Sequence, residues 1–368
     1  MYFSSSPERV GGSQEHVHLL ALALGRRGHH VSIFGPQHPY FTYSDYHAIS
    51  RTTMVPVPNG NWANITFPIS TVNIPELISG RYDIAHIHEP YIPFHAWEIM
   101  RAVTIPKVST FHAAWGDESV LRVLYSVLPL FQQSFSDHMH GAIYVSSVTA
   151  RCWRTMCDGR VKQKIIGHGI DENFVPGHGR QDDKNTITLL FLARLVPRKG
   201  LRYLIQAFRR LVRSHADVRL IVVGDGPERG DAQSLVKKLR LSRYVEFTGE
   251  VLGDKKITYY QSSDIFCAPY QDEAYGMTIL EAMACGCPIV GFTNEAFQEI
   301  LRNYPAPELL VSPKDGNAFT HALKKLVTSP DLRDRLGRWG VKESKKYNWD
   351  VVAGETEEFY YQILESSN

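Results

Sequence analysis

The chain has 368 residues, which indicates two domains at roughly 100–200 residues per domain. Hydrophobic residues make up 43% of the chain and charged residues 21%, which excludes a disordered polymer, a collagen-like repeat and a low-complexity protein. Lys and Arg number 40 against 38 Asp and Glu, and the formal charge of +2 excludes a protein whose whole surface binds nucleic acid.

Short apolar runs rich in β-branched residues alternate with helical periodicity along the whole chain. The predicted strands are His30–Phe34, Asp83–His88, Lys107–Phe111, Gly141–Val145, Thr186–Leu192, Val218–Val223, Tyr244–Thr248, Asp264–Ala268 and Pro288–Gly291. The predicted helices between them include Gln14–Arg26, Leu201–Val212, Asp231–Leu239 and Met277–Ala284. Because parallel sheets covered by helices on both faces have such strands, the sequence predicts an α/β fold of doubly wound parallel sheets.

A polar, glycine-rich stretch from Gly167 to Lys184 interrupts this alternation, and a new strand begins at Thr186. This stretch is the predicted hinge between two Rossmann-like domains, which divide at about residue 175. Open parallel sheets bind ligands at the carboxyl ends of their strands. We therefore expect two such domains to face one another across a central cleft that holds the functional site.

The five cysteines are too few and too irregularly spaced for a disulfide scaffold, and reduced thiols favour a cytoplasmic location. No apolar run approaches the ~18 residues of a membrane span. The first twelve residues also lack the charged and apolar segments of a signal peptide. We expect a soluble cytoplasmic protein that at most contacts the cytoplasmic face of a membrane.

Two glycine motifs lie at predicted strand-to-helix junctions. Gly11 and Gly12 precede the first helix, where a phosphate could approach the backbone N–H groups; an ordinary loop is the alternative. Gly224-Asp-Gly226 follows a strand but lacks the third glycine of a dinucleotide fingerprint, since Arg229 stands in that place. It is better explained as a tight turn than as a nucleotide clamp.

Two fixed cations stand at the end of the strand that closes at Leu192. Arg194 ends this strand, and Lys199 precedes the next helix. Such cations at the mouth of a parallel sheet suit a pyrophosphate, which Arg binds in bidentate fashion. A solvated basic turn is the alternative.

Two carboxylates, Glu273 and Glu281, are separated by seven residues around a predicted helix start at Gly276. Glu273 falls in the loop after a strand, and Glu281 lies in the second turn of the helix. An anion could dock on the N–H groups between them, from Ala274 to Thr278. Two solvated acids are the alternative for the pair alone, but the strand–loop–helix context favours a site.

Histidines end two strands of the first domain. His86 and His88 share a strand face, as a metal pair would, but the sequence shows no obvious third ligand, and we favour a site without metal. His112 ends the next strand, where it would contact a bound ligand or anchor a loop.

Together these motifs resemble the family-four retaining glycosyltransferases of the GT-B fold, over almost the whole chain. The residues that carry the resemblance are Gly11-Gly12-Ser-Gln14-Glu-His16, His86-Ile-His88-Glu-Pro, Thr110-Phe-His112, Arg194 with Lys199, Gly224-Asp-Gly226, Glu273 with Glu281, and Tyr347-Asn-Trp349. The first domain is most similar to that of the phosphatidylinositol mannosyltransferases. The resemblance implies an acceptor-binding domain of residues 1–172, a nucleotide-sugar-binding domain of residues 173–346, and a helix of residues 347–368 that crosses back to the first domain.

The resemblance also implies the roles of particular residues. The implied catalytic residues are His112, Glu273, Arg194 and Lys199. The implied donor-binding residues are Gly12, Gly249, Val251, Tyr275, Gly276, Met277, Thr278 and Glu281. The two cations would hold the donor pyrophosphate and replace a metal, so we expect no metal and no cofactor. The expected partners are a nucleotide-sugar donor and a lipid or small-molecule acceptor, with membrane-surface contact allowed and no nucleic acid.

Three features depart from the family pattern. Only Met1-Tyr-Phe3 precedes the first loop, so the first domain is expected to be short by a strand of roughly five or six residues: either the true start lies upstream, or the sheet lacks that strand. The usual Asn-Gly-x-Asp turn reads His168-Gly169-Ile170-Asp171. The stretch Ile74–Arg81 lacks the basic run that the phosphatidylinositol enzymes carry.

Four functions remain open from the sequence. The first is transfer of mannose from GDP-mannose to a lipid-linked or other hydroxyl acceptor, and the second is transfer from a UDP-sugar to a soluble acceptor. A nicotinamide-dependent oxidoreductase is suggested by Gly224-Asp-Gly226 alone. A non-catalytic protein that binds nucleotide sugars would explain the short first strand.

Overall fold

The computed structural model describes residues 1–3, 12–36, 43–56, 62–68, 81–91, 95–114, 136–157, 159–177, 186–215, 217–251, 253 and 255–367. The chain forms two compact units. Unit 1 comprises Met1–Gly169 with Trp349–Asn368, and unit 2 comprises Ile170–Asn348. The divisions expected from the sequence, after residues 172 and 346, lie close to these.

Thirteen strands are found in the described part of the chain. They are β1 Ile33–Pro36, β2 Tyr46–Pro56, β3 Trp62–Pro68, β4 Ala85–His88, β5 Lys107–Phe111, β6 Gly141–Tyr144, β7 Lys162–Ile165, β8 Ile187–Leu192, β9 Val218–Val223, β10 Val245–Gly249, β11 Ile265–Ala268, β12 Ile289–Phe292 and β13 Leu310–Val311. All nine predicted strands are present. The pair β2 and β3, β7 and the short β13 were missed, because their sequences lack the long apolar run that marks a buried parallel strand.

Eleven α-helices accompany these strands in the same described residues. They are α1 Gly12–Arg26, α2 His95–Ala102, α3 Ser147–Trp153, α4 Leu201–Val212, α5 Arg229–Lys238, α6 Lys255–Gln261, α7 Met277–Ala284, α8 Glu295–Ile300, α9 Gly316–Thr328, α10 Pro330–Ser344 and α11 Trp349–Ser367. The bounds of α4 and α7 agree with the prediction. None of the described helices is both long enough and apolar enough to span a lipid bilayer.

Unit 2 is a doubly wound sheet of six parallel strands in the order β10-β9-β8-β11-β12-β13. Counted within the unit, this is strand order 3-2-1-4-5-6, and the direction of winding reverses between β8 and β11. Loops that leave the carboxyl ends of these two strands diverge and leave a crevice, which is where such sheets bind ligands.

The position of α4 beside this crevice follows from its apolar stripe. Leu201, Leu204, Ile205, Phe208 and Leu211 recur at helical spacing, and all are buried. Burial of such a stripe stabilises the helix by roughly 1.5–3 kcal/mol per large side chain. The packing of this stripe therefore holds the start of α4, and the residues just before it, against the sheet.

In unit 1 the segment before the first loop takes part in the sheet. The three-residue segment Met1–Phe3 lies between β1 and β4 in parallel orientation to both. Tyr2 N–H donates to His86 O (2.8 Å), and Phe3 N–H donates to Phe34 O (3.1 Å). In the described part of the chain no strand of five or six residues precedes α1, but the bridges of Tyr2 to Phe34 and Ile87 place these three residues between β3-β2-β1 and β4-β5-β6-β7.

A cavity of about 210 Å³ lies beside the start of this segment. Its wall includes Ser32 from the approach to β1 and Ala85 from β4. The amine of Met1 donates to Ser32 O (2.6 Å), and burial lowers the pKa of this amine to about 5. An apolar space and a buried amine therefore meet at one end of the sheet.

Candidate functional site

The loop after β8 carries two predicted site residues and is held in place by its backbone. Pro197–Lys199 forms a short 3₁₀ turn, and Gly200 follows with φ of +68°, which favours glycine. A Cβ at Gly200 would lie 2.1 Å from the carbonyl oxygen of Pro269, in the loop after β11. Only glycine therefore lets the two loops at the crevice approach this closely.

Further hydrogen bonds join these two loops. The Gln271 N–H donates to Arg198 O (2.8 Å), and the Gln271 side chain donates to Pro197 O (3.1 Å). As a result Lys199 and Glu273, 74 residues apart in sequence, form an ion pair between Nζ and Oε2. Their side chains are only 11% and 14% exposed. The structure thus brings together two residues that the sequence placed in separate motifs.

The electrostatics of this pair follow from burial and neighbouring charge. Burial lowers the pKa of Lys199, although Glu273 opposes that shift. Burial would raise the pKa of Glu273, but the charges of Lys199 and Arg198 outweigh it and hold this pKa below its ordinary value. The Lys199 ammonium also lies 4.0 Å from the centroid of the Tyr270 ring, a favourable cation–π arrangement. The pair therefore places one cation and one carboxylate side by side at the crevice.

Glu281 has a different set of partners. It lies in the second turn of α7, is 3% exposed, and accepts hydrogen bonds from Lys256 Nζ (2.7 Å) and Tyr260 OH (2.6 Å). Burial and the adjacent carboxylate raise the pKa of Tyr260 well above its ordinary value, so the phenol remains a donor. Sequence reasoning missed both partners, although Lys256 and Tyr260 are four residues apart and share a face of α6.

The donor-binding role that the resemblance implies for Glu281 can be tested by replacing it with Gln, which is expected to weaken nucleotide binding about tenfold, the effect of roughly 1.4 kcal/mol. The glutamine oxygen that accepts from Lys256 and Tyr260 cannot also accept from a ligand hydroxyl as strongly as a carboxylate does. Calorimetric titration with nucleoside diphosphates would measure the change. Glu308→Gln, at an exposed position, is the matched control; unchanged affinity in Glu281→Gln would contradict the role.

The start of α7 supplies backbone donors between the two carboxylates. Gly276 caps the helix with φ of +113°, and Tyr275 before it is buried. The N–H groups of Met277 and Thr278 open the helix and have no acceptor within it. They coincide with the positive end of the helix dipole, which favours an anion.

The motif Gly224-Asp-Gly226 forms a close backbone contact. A Cβ at Gly224 would lie 2.0 Å from Ala193 O, and one at Gly226 would lie 2.4 Å from Leu195 O. The glycines therefore serve to pack the turn after β9 against the half-buried Arg194, which stands between those two carbonyls in sequence. The interpretation as a tight turn accounts for both glycines.

Gly249 and Val251, predicted to face a base, lie at the end of β10. Gly249 has φ of +80°, and its carbonyl accepts from Gly224 N–H (2.8 Å). Val251 is half-buried just beyond it. Both residues are therefore at the carboxyl edge of the same sheet as the two ion pairs.

The carboxyl edge of the unit 1 sheet holds a cluster of five histidines. They are His16 on α1, His86 and His88 on β4, His112 just after β5, and His168. His88 Nδ1 lies 3.0 Å from His112 Nε2, and His16 Nδ1 lies 2.9 Å from His168 Nδ1. The sequence showed no third partner for His86 and His88, whereas the fold places His16 and His112 beside His88.

Burial lowers the pKa of each imidazole in this cluster, to about 3 for His86 and His168. All five are therefore neutral at pH 7. His86 is held by Tyr360 OH (2.5 Å) and Thr110 Oγ1 (2.6 Å). Gly12 begins α1 near this edge, whereas Gly11 and residues 69–80 lie outside the described part of the chain.

Two family models together match most of the chain. The Glycosyltransferase Family 4 model matches residues 10–174, and the Glycosyl transferases group 1 model matches residues 176–343. The phosphatidyl-myo-inositol mannosyltransferase of Mycobacterium tuberculosis is 31% identical over 367 residues, which covers 97% of this chain and 94% of that protein. The enzyme of the same name from Propionibacterium freudenreichii is 28% identical and covers 96% and 91%.

Solved structures share the fold at lower identity. Sucrose-phosphate synthase from Thermosynechococcus elongatus has a TM-score of 0.76 at 19% identity and covers 99% of both chains. Anabaena HepE in complex with UDP-glucose has a TM-score of 0.76 at 16% identity and covers 98% of this chain and 99% of its own. The chain therefore belongs to the GT-B glycosyltransferases, with a family 4 domain followed by a group 1 domain.

Proposed function

We propose that this glycosyltransferase moves a mannosyl group from GDP-mannose to a hydroxyl of a lipid-linked acceptor, with retention of anomeric configuration. The mannosyl and lipid parts of the proposal are supported by the name of the mycobacterial relative at 31% identity. The use of a nucleotide-sugar donor is supported by the site in unit 2. The observation that carries it is the pair of Lys–Glu contacts, Lys199 with Glu273 and Lys256 with Glu281, at the crevice of a doubly wound sheet.

The diphosphate is proposed to bind Lys199, Arg194 and the N–H groups at the start of α7. Negative charge develops on the diphosphate as the glycosidic bond breaks, so these donors stabilise the transition state more than the ground state. No metal is proposed for this step, because the two side-chain cations and the helix end supply the positive charge.

Glu273 is proposed to contact the transferred sugar while Lys199 turns to the diphosphate. The sugar becomes oxocarbenium-like as the bond breaks, and a carboxylate beside it is favourable. The acceptor hydroxyl would attack the face that the diphosphate leaves, and a phosphate oxygen would take its proton. The backbone from Tyr275 to Met277 is proposed to contact the same sugar.

The nucleoside is proposed to bind farther along the same edge. Glu281 would accept the ribose hydroxyls, and the backbone near Gly249 and Val251 would contact the base. Because backbone groups rather than side chains would contact the base, the side chains of the site do not identify the base. A UDP-sugar donor with a soluble acceptor is therefore the second candidate. Structures that share the fold include one with UDP-glucose, which keeps this candidate open.

In unit 1, Gly12 is proposed to approach the diphosphate and His112 to contact the transferred sugar. Both residues lie at the carboxyl edge of the unit 1 sheet, where doubly wound folds bind ligands. His112 is neutral, so it would act toward the sugar as a hydrogen-bonding group.

Thermal-shift measurements with GDP-mannose, UDP-glucose, UDP-N-acetylglucosamine and NAD test the donor class. We expect stabilisation by GDP-mannose above the other ligands, since a ligand that binds the folded state raises its stability. Stabilisation by a UDP-sugar instead would favour the second candidate, and stabilisation by NAD alone would contradict transfer. Incubation of the preferred donor with lipid and soluble acceptors, followed by NMR of the anomeric proton, would test the acceptor and the retention.

A further inference from the structure

We propose that His16, His88 and His112 in unit 1 bind a divalent transition-metal ion of the zinc class. These three side chains, called the histidine triad below, come from α1, β4 and the loop after β5. One ring nitrogen of each lies within 4.8 Å of those of the other two. The site is separate in its residues from the cations that are proposed to hold the diphosphate.

His88 and His112 present two ring nitrogens at nearly the spacing of zinc ligands. Zn–N bonds of about 2.0–2.1 Å in a tetrahedral site place two ligand nitrogens about 3.4 Å apart. His88 Nδ1 and His112 Nε2 lie 3.0 Å apart, so a small separation of the two rings would admit an ion between them. The ring centroids of His16 and His112 are 4.8 Å apart, and those of His16 and His88 are 5.5 Å apart. A fourth position would remain for water or an anion.

Protons can be accommodated without ionising any ring. In the metal-free triad one of His88 and His112 donates to the other. If His88 is the donor, a change of its tautomer moves its proton to Nε2 and leaves Nδ1 to bind the ion. His16 can donate from Nδ1 to His168, which leaves its Nε2 lone pair for the ion. A neighbour that fixes the tautomer of a ligand histidine is the usual outer support of a zinc site.

Two buried nitrogens of the triad have no hydrogen-bond partner in the described part of the chain. They are His88 Nε2 and His112 Nδ1, and His88 as a whole is fully buried. A buried polar atom left without a partner costs about 1–3 kcal/mol. These two nitrogens are not the proposed ligand atoms: in the bound state each would carry the proton of its ring, while His88 Nδ1 and His112 Nε2 face the ion.

The effect that a bound ion would have on glycosyl transfer rests on the proposed function. An ion bound to His112 would withdraw this side chain from the sugar, so zinc is expected to inhibit transfer. Inhibition would then be reversed by a chelator. Binding of the ion can be measured without donor or acceptor, so its failure and the failure of the proposed function are distinguishable.

Cobalt titration of the full chain, purified without a histidine tag and treated with chelator, tests the proposal. We expect one Co²⁺ per chain with the intense visible bands of tetrahedral coordination, displaced by Zn²⁺. His112→Asn and His88→Asn should each weaken binding at least tenfold, whereas His321→Asn, at an exposed position, should leave it unchanged. Circular dichroism would confirm that each variant folds, and His112→Asn carries the test if His88→Asn does not.

Three outcomes would overturn the proposal. The first is a wild-type titration without the visible bands or with octahedral spectra only. The second is undiminished affinity in folded His112→Asn. The third is equal loss of binding in the His321→Asn control, which would place the ion on exposed histidines.

Discussion

Glu273→Gln is expected to lower the rate of glycosyl transfer by about 10²–10³-fold while nucleotide binding stays within a few-fold of wild type. The amide keeps the size of the side chain but removes the negative charge that is proposed to face the oxocarbenium-like sugar. Nucleotide binding persists because the proposed ribose contact is Glu281, which has its own partners in Lys256 and Tyr260. Steady-state rates and calorimetric titration of nucleotide would measure the two effects.

The neighbouring carboxylate provides the matched control for this prediction. Asp272 is adjacent in sequence and lies on the same loop, and its carbonyl oxygen accepts from Arg198 (3.3 Å). Asp272→Asn should therefore change transfer little. Transfer in Glu273→Gln within threefold of wild type would remove Glu273 from the reaction, and equal losses in the two variants would indicate a general disturbance of the loop.

Lys199→Met is expected to weaken donor binding by about 10–100-fold, since a hydrogen bond to a charged group contributes roughly 1.5–3 kcal/mol. It should also lower the free energy of unfolding by about 3–5 kcal/mol, because Glu273 would be left as a buried charge without its cation. Methionine keeps the apolar stem against Tyr270, so the loss of charge dominates the change. Donor titration and denaturant unfolding would measure the two quantities.

A second variant separates binding from stability. In Lys199→Met with Glu273→Gln, neither buried charge remains, so most of the lost stability should return. Donor binding should remain weak, because no cation has been restored. Arg198→Met, an exposed neighbour of the same charge, is the control and should retain donor binding within a few-fold. Recovery of donor binding in the double variant would show that Lys199 acts only as a partner of Glu273.

Much of unit 2 could be predicted from sequence because its elements are marked by local signals. The strand Val218–Val223 and the helices α4 and α7 begin and end where periodicity and glycine punctuation predict. The placement of Glu273 in a loop and of Glu281 in the second turn of a helix also agrees. The carboxyl ends of parallel strands share an edge, so residues after β8 and β11 were expected at one site.

Contacts between distant segments could not be read from these local signals. Lys256 and Tyr260 stand on α6, and nothing in their immediate sequence shows that both meet Glu281. Likewise the ion pair of Lys199 with Glu273 depends on hydrogen bonds between two loops and on the absence of a Cβ at Gly200. Such contacts are decided by how the strands are ordered in space.

The histidines of unit 1 show the same limit. The sequence places His88 and His112 at the ends of two strands, but His16 stands on a helix about 70 residues earlier in the chain. Only the parallel pairing of β4 with β5, and the packing of α1 at the same edge, brings the three imidazoles together. The spacing of possible metal ligands along the sequence therefore could not predict the histidine triad.

By itself, the sequence of 368 residues determined two doubly wound domains, the near-neutral charge, and the strand-end motifs that carry the resemblance to family-four glycosyltransferases. These depend on periodicity and on residues close together in the chain. The tertiary structure decided that Met1–Phe3 fills an interior strand position, that each acid of the Glu273 and Glu281 pair has its own lysine, and that three histidines converge. These features arise from strand order and packing, because residues far apart in sequence become neighbours only when the sheets form.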